Sequence, residues 1–262
     1  MKTIAEPLFQ WDALQMDYDP FPIGYVKDVF TASLYSEMVA NYPSKDLFQF
    51  KPKLGNKYSL SEVNNPDQYH QFIKSHPIWK RVYDAVKHED FVHQLLDVLV
   101  KHGVDLGFVG KVDVINDPSA ARRSRWRSAV ETFRAGVAQR KPLKTRFEFS
   151  MLPADGGHIR PHTDGPNKYI TLVVSCMPEN EWRPEFGGGT AMLKAKDPRR
   201  IFNHVNKYQE FDETETLKTF PFVPNQCVVF VKTFNSLHAV APMTQVGSTV
   251  MRKTLTINIE TI

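Results

Sequence analysis

The stretch His158-Ile159-Arg160-Pro161-His162-Thr163-Asp164-Gly165 holds the residues best suited to chemistry. His162 and Asp164 are two positions apart. In extended backbone, alternate side chains leave on the same side, so one imidazole and one carboxylate reach a common point from one edge of a strand. A second imidazole would complete two histidines and a carboxylate on one face of a divalent transition metal such as iron(II), leaving the opposite face open. The chain offers His238, in Asn235-Ser236-Leu237-His238-Ala239-Val240, just past the apolar run Val228-Val229-Phe230-Val231. A strand end is where a sheet can present a ligand at a pocket mouth. Histidines in such places more often serve packing than metal, and a His-x-Asp pair recurs by chance. Residue type and order alone therefore leave the set open. A competing pair, His158 and His162, has the four-residue spacing of zinc ligands on a helix. Gly156-Gly157 and Pro161 argue against a helix there.

The C-terminal run Arg252-Lys253-Thr254-Leu255-Thr256-Ile257-Asn258-Ile259 adds a second feature. Leu255, Ile257 and Ile259 share one parity; Arg252, Thr254, Thr256 and Asn258 share the other. Such a strand has one face on a core and the other in water or on a pocket. In the second case Arg252 could take a carboxylate bidentately, and Thr254 could add a hydroxyl.

The elements that must position these residues fall into two halves. Helices are expected over 31–42, 68–74, 77–87 and 91–102, with Pro77 in a first turn, Asp90 as a cap and Gly103 as a stop. An edge strand is expected near 23–26, and 44–66 reads as loop. From Arg146 onward the signals are strands: 146–151, 169–177, 190–193, 220–223, 226–232 and 251–259, with a further one over 108–115. Helices followed by strands predict an α+β chain, with helices packed on one side of an antiparallel sheet that folds over into a sandwich or barrel.

Composition is that of a soluble globular chain, with 42% hydrophobic and 24% charged residues in 262. No apolar run is long enough for a bilayer, and the first residues lack the apolar centre of a signal peptide. A cytoplasmic protein is expected. Cys176 and Cys227 lie in apolar strand-like runs and are read as buried thiols. The net charge of +4 permits an anionic substrate without demanding one. The segment 118–146 is strongly basic and reads as a solvated loop; clamping of an anionic substrate or nucleic acid is its alternative. Trp126 and Phe133 are too few for a stacking platform.

The ordered set Gly156-Gly157, His162-Thr163-Asp164, Tyr169-Ile170-Thr171-Leu172, Trp182, Gly187-Gly188-Gly189-Thr190, His238-Ala239-Val240-Ala241-Pro242 and Arg252-Lys253-Thr254-Leu255-Thr256 resembles the iron(II)/2-oxoglutarate dioxygenases. The prolyl 4-hydroxylase-like branch fits best. The likeness runs from about residue 146 to the C-terminus. It implies a double-stranded β-helix (jelly-roll) core over 107–262, braced by a mostly helical scaffold over 1–106, the two forming one structural domain. It implies His162, Asp164 and His238 as iron ligands. Arg252 and Thr254 would hold the distal carboxylate of 2-oxoglutarate, and Thr171 and Ser175 would line the same pocket.

Fe(II), 2-oxoglutarate and O2 are the implied cofactor and co-substrates. The implied reaction is hydroxylation of an unactivated C–H, with release of succinate and CO2. A carboxylate at Asp164 fits hydroxylation, since related halogenases carry a small residue there. The expected substrate is a small molecule, such as an amino acid or sugar-type metabolite, or a peptidyl side chain such as proline. Neither nucleic acid nor membrane is expected as a partner, and the oligomeric state is not legible. Two rival readings are a nucleic-acid dealkylase of the same superfamily and a non-catalytic ligand-binding β-barrel. Pro153 stands where an aromatic residue is common in the family, and the segment between His238 and Arg252 is longer than in many members.

Overall fold

Burial of one apolar parity on each long strand organises the chain. The computed structural model describes residues 8–108, 111–116, 140–203 and 205–262. It contains β1 (Gln15–Asp17), β2 (Ile23–Val26), α1 (Ala32–Ala40), β3 (Gln49–Lys51), β4 (Lys57–Ser61), α2 (Pro66–Ser75), α3 (Pro77–Lys87), α4 (Glu89–Lys101) and β5 (Val112–Val114). These are followed by β6 (Lys141–Pro153), β7 (Ile159–His162), β8 (Lys168–Ser175), β9 (Thr190–Ala195), β10 (Thr214–Phe220), β11 (Cys227–Val231), β12 (His238–Val240) and β13 (Met251–Thr261). Among the described residues the chain is mostly β-sheet with four α-helices. No described helix is long and apolar enough to cross a membrane.

The larger sheet runs β1-β2-β11-β8-β13-β6-β4-β3, with β5 parallel to the start of β6. The smaller runs β10-β9-β12-β7. On β6, Phe147, Phe149 and Met151 point one way. They join Leu255, Ile257 and Ile259 of β13, and Ile170, Leu172 and Val174 of β8, in one buried cluster. The helices close that face with Leu34 and Met38, Tyr69 and Phe72, Trp79 and Val82, and Leu95 and Leu99. Each helix thus buries a single stripe against the sheet. The opposite parity faces the smaller sheet. At one end Ile23, Val228 and Phe230 meet Met192 and Phe220; at the other Leu152 meets Val240, Trp182 and Phe222. Between these two apolar clusters the inner face carries polar side chains, and there the cavity lies.

Several local expectations are corrected. Residues 44–66 are not one loop: they hold β3 and β4, and β4 pairs with β6 through Ser59↔Ser150 and Ser61↔Glu148. Its pairing partner lies far along the chain, so local composition gives no hint of it. For the same reason β2 is not an edge; it sits between β1 and β11. The strand expected at 220–223 is β10, which ends at Phe220 before Pro221. Five of its seven residues are exposed, so it shows no apolar alternation. Helix α4 is capped two residues earlier than expected. His88 Nδ1, rather than the Asp90 side chain, accepts the Asp90 backbone N–H. The strand β6 begins at Lys141, inside the segment read as loop; the rest of that segment, 118–139, lies outside the described residues.

Phe149 is fully buried, edge-on to Trp79 at 4.7 Å between ring centroids. Phe149→Ala is expected to cost about 3–5 kcal/mol, as lost transfer energy plus a cavity that rigid strands cannot close. Urea unfolding checks this. A loss below about 1 kcal/mol would mean that the helices are free to slide in.

Candidate metal centre

Two short strands of the smaller sheet bring the chemistry together. β7 ends at His162, and β12 begins at His238; the two residues are directly paired in antiparallel register. Side chains of opposed residues stand on the same face, and the two imidazole centroids are 4.4 Å apart. Asp164 lies just past the end of β7, where Thr163 ties the turn down by donating its hydroxyl to the Asn203 carbonyl at 3.0 Å. One ligand atom from each of His162, Asp164 and His238 lies within 4.8 Å of the others. His158 stands apart from this group; its Nδ1 contacts the Gly156 carbonyl.

The hydrogen bonds of the rings decide which nitrogens are free. His162 Nδ1 donates to the Arg160 carbonyl at 2.8 Å, and His238 Nδ1 donates to the Ser236 carbonyl at 3.0 Å. A carbonyl can only accept, so both neutral rings keep the proton on Nδ1 and hold a lone pair on Nε2. This is the arrangement that orients a metal-binding imidazole. Enclosure lowers the His162 pKa to about 3, helped by His238 and opposed by Asp164. The same enclosure lowers His238. Desolvation alone would raise Asp164, but Lys168 and the two histidines outweigh it and hold the carboxylate well below its usual range. The donor set is therefore two neutral imidazoles and one carboxylate, which fits an octahedral divalent metal with open positions.

Asp164 is held at both oxygens. Lys168 Nζ donates to Oδ1 at 2.7 Å, and Thr171 Oγ1 donates to Oδ2 at 2.6 Å. The ligand set opens on a cavity of about 140 Å³ between the sheets, whose wall includes Thr254, Thr256, Val173, Thr190 and Phe230. Arg252 lies in the same wall and is buried. Its Nε donates to the Gly188 carbonyl at 2.6 Å, and its guanidinium lies over the Phe222 ring at 4.1 Å. Among the described residues no carboxylate pairs with it. Burial lowers it to about 9, so it is a cation at neutral pH. A buried cation without a counter-charge is costly, and an anionic ligand in the cavity would remove that cost.

The fold thus brings His162, Asp164, His238, Arg252, Thr254 and Thr171 to one cavity. Ser175 shares their face and pairs with Thr254, but its hydroxyl is buried outside the cavity wall without a partner. Lys253 points the other way, toward Glu181 at 3.3 Å. Sequence reasoning missed Lys168, Thr190, Thr256 and Lys57, all in the wall. Thr256 shares the Arg252 parity and was within reach. Lys57 arrives only through the β4–β6 pairing.

No family model matches the chain, and no curated protein sequence matches it. Solved structures to which the chain is similar include a Pseudomonas putida prolyl-4-hydroxylase. It is 12% identical, with 94% of this chain and 96% of that chain covered and a TM-score of 0.46. A prolyl hydroxylase from Trichoplax adhaerens, in complex with a hypoxia inducible factor peptide fragment, is 11% identical over 93% and 86%, with a TM-score of 0.48. HygX from Streptomyces hygroscopicus, with nickel and 2-oxoglutarate bound, is 9% identical over 93% and 84%, with a TM-score of 0.43. Scores this low leave the activity to be read from the site itself.

The shifts at His162 and Asp164 have the same consequence for stability. Each group binds a proton less readily folded than unfolded, so stability falls with pH between the ordinary histidine value near 6.5 and about 3 for His162. The metal-free protein should lose urea resistance between pH 7 and pH 5, and His162→Ala should flatten that loss. An unchanged slope in the variant would show that His162 titrates normally.

Proposed function

We propose that this chain is an iron(II)- and 2-oxoglutarate-dependent dioxygenase that hydroxylates an unactivated C–H of a small molecule or a peptidyl side chain. The observation that carries the reading is the pairing, in one cavity, of a His162/Asp164/His238 donor set with the buried, uncompensated Arg252 guanidinium. A ligand that suits both ends has a metal-chelating group at one end and a carboxylate at the other, and 2-oxoglutarate is such a molecule. Two facing sheets with the ligand set between them suit a double-stranded β-helix, with α1–α4 packed on the outer face of the larger sheet and β2 and β4 extending that sheet, in a single domain.

Bound iron(II), with 2-oxoglutarate and dioxygen, would supply the oxidising power, releasing succinate and CO2. The protein's own residues supply placement. His162 and His238 would present Nε2 lone pairs without first losing a proton. Lys168 and Thr171 hold the Asp164 carboxylate in one orientation, in which it would serve as a metal ligand. Arg252 would take the distal carboxylate through its free N–H groups, with the Thr254 hydroxyl beside it. Gly188 and Phe222 aim the guanidinium, while Val173, Phe230 and Val240 keep the cavity wall dry. Exclusion of water strengthens every charge interaction inside.

Succinate formation from 2-oxoglutarate with added iron(II) in air is the direct test. His162→Ala and His238→Ala should each reduce it by roughly a hundredfold or more, given that even outer partners of metal ligands commonly matter ten- to a hundredfold. Metal-dependent succinate absent from the folded wild-type protein would sink the reading in favour of a ligand-binding barrel.

Arg252→Met should raise the KM for 2-oxoglutarate by about 10- to 100-fold, the worth of a charge-assisted hydrogen bond in a dry site. Gly188→Ala should act in the same direction. Gly188 has φ +75, and a Cβ there would meet Trp182 at 2.9 Å and Arg252 Cδ at 3.1 Å. A KM unmoved in both variants would place the carboxylate elsewhere.

A further inference from the structure

The cavity wall holds more positive charge than the proposed reaction uses. Its charged members among the described residues are Lys57, Asp164, Lys168 and Arg252. Arg252 lies near the start of β13, whereas Lys168 pairs with Glu260 near the end of that strand. Lys57 comes in from the side. It opens β4, which pairs with β6, and the turn before it is pinned to the smaller sheet. There the Gly55 carbonyl accepts the His158 N–H at 3.1 Å, one residue before the edge strand β7. Gly55 has φ +70, and a Cβ on it would lie 1.9 Å from the His158 carbonyl oxygen, so the approach needs glycine. The hairpin of β3 and β4 thus ties the edge of one sheet to the edge of the other and holds Lys57 at the margin between them.

Neither ammonium group is fully spent. Lys57 Nζ donates to Glu148 Oε1 and Lys168 Nζ donates to Asp164 Oδ1, each at 2.7 Å. A lysine has three donors, and among the described residues each of these two uses one. The side chains keep 23% and 18% exposure, and both line the cavity, where the remaining N–H groups have room to point. The two also converge. Burial alone would raise Glu148, but Lys57, then Arg146 and Lys168, outweigh it and hold the carboxylate below its usual range. Both lysines therefore act on one carboxylate, from β4 on one side of it and from β8 on the other. Glu148 itself stands behind them, outside the cavity wall. A group in the cavity meets the ammonium ends first.

Charge balance indicates what these donors await. In the loaded site the two charges of iron(II) would be met by Asp164 and by the chelating carboxylate of 2-oxoglutarate. Arg252 would be met by the distal carboxylate, and Lys57 is met by Glu148. Lys168 is the cation left over, because the acid it pairs with would be shared with the metal. An excess charge in an enclosed site is costly, and a ligand of opposite sign removes the cost. A neutral substrate would leave the excess in place, and a cationic one would add to it. We propose that Lys57 and Lys168 form the substrate's anchoring subsite, and that the substrate is an organic monoanion whose carboxylate docks on the two ammonium groups. This rests on the dioxygenase reading above and narrows its substrate from a neutral sugar or an uncharged peptidyl side chain to an acid. Each lysine then keeps its own carboxylate partner and gives a second N–H to the substrate.

The test is anaerobic calorimetry on the protein loaded with iron(II) and saturating 2-oxoglutarate. The probes are butanoate, octanoate and phenylpropanoate, each beside its primary amide and the amine of equal length. The carboxylate that binds best should bind about tenfold or more tightly than its amide, the worth of one charged hydrogen bond, and the amine should bind worst. Lys57→Met and Lys168→Met should each remove most of that preference, and Lys57→Arg should keep it. Lys168→Met also frees Asp164, so Lys57 gives the cleaner comparison. Unfolding of a variant abolishes binding of carboxylate and amide alike, and the wild-type ratio together with Lys57→Arg then decides. A preference that survives both methionine variants would overturn the proposal. So would equal binding of carboxylate and amide, or no carboxylate that binds. A carboxylate whose affinity falls as 2-oxoglutarate is raised has entered the Arg252 end, and that result also counts against the subsite. Metal-dependent succinate formation without any probe reports separately on the dioxygenase reading, so the subsite can fail while that reading stands.

Discussion

Direct pairing of His162 with His238 across β7 and β12 is the constraint on which the site depends. The period of a strand is two, so a slip of one residue in that register would turn one imidazole to the opposite face. The neighbours of β12 lock the register. His238 is paired with Met192 of β9 on its other side, and Met192 is buried in the apolar cluster that joins the two sheets. Each imidazole is then oriented by its own chain, through a carbonyl two residues earlier. The ligand geometry is therefore built into the smaller sheet before any metal is considered.

The larger sheet resolves a different problem. Its outer face is continuous hydrocarbon under the helices, where burial stabilises by roughly 25 cal/mol per Å² of apolar surface. Its inner face buries Arg252, Thr254, Asn258, Glu148 and Glu260, which burial alone disfavours. Some of these groups are matched within the protein, as Lys57 matches Glu148. Others, Arg252 above all, are not. On the proposed reading, a fold that keeps Arg252 unmatched beside an ordered donor set would hold its ligand's counterpart in advance. The stability given up there would be recovered on binding of that ligand.

Much of this was legible in residue order. Alternation along 146–151 and 251–259 gave the parity of β6 and β13, and with it the company Arg252 keeps. Helix α3 announced itself through Pro77 at its first turn and one apolar stripe, whereas α2 begins at Pro66, two residues before the expected start and inside the stretch read as loop. The pieces that escaped share a cause. β4, and Lys57 with it, is defined by a partner about ninety residues away. β10 is an exposed edge with little hydrophobic pattern. A strand of this kind is specified by what it pairs with rather than by what it contains.

The sequence by itself determined which side chains were available and which shared a face: a His-x-Asp pair, a later histidine just past an apolar strand, and an arginine in phase with two threonines. Those are local properties, set by the two-residue period of extended backbone and by turn residues. Only the tertiary structure decided that they meet. Register between β7 and β12 put the two imidazoles 4.4 Å apart. Packing of the two sheets placed Arg252 across the same cavity and left Ser175 out of its wall. Which nitrogen of each ring is free, and which buried charges lack partners, depends on contacts between residues far apart in the chain. No local pattern records them.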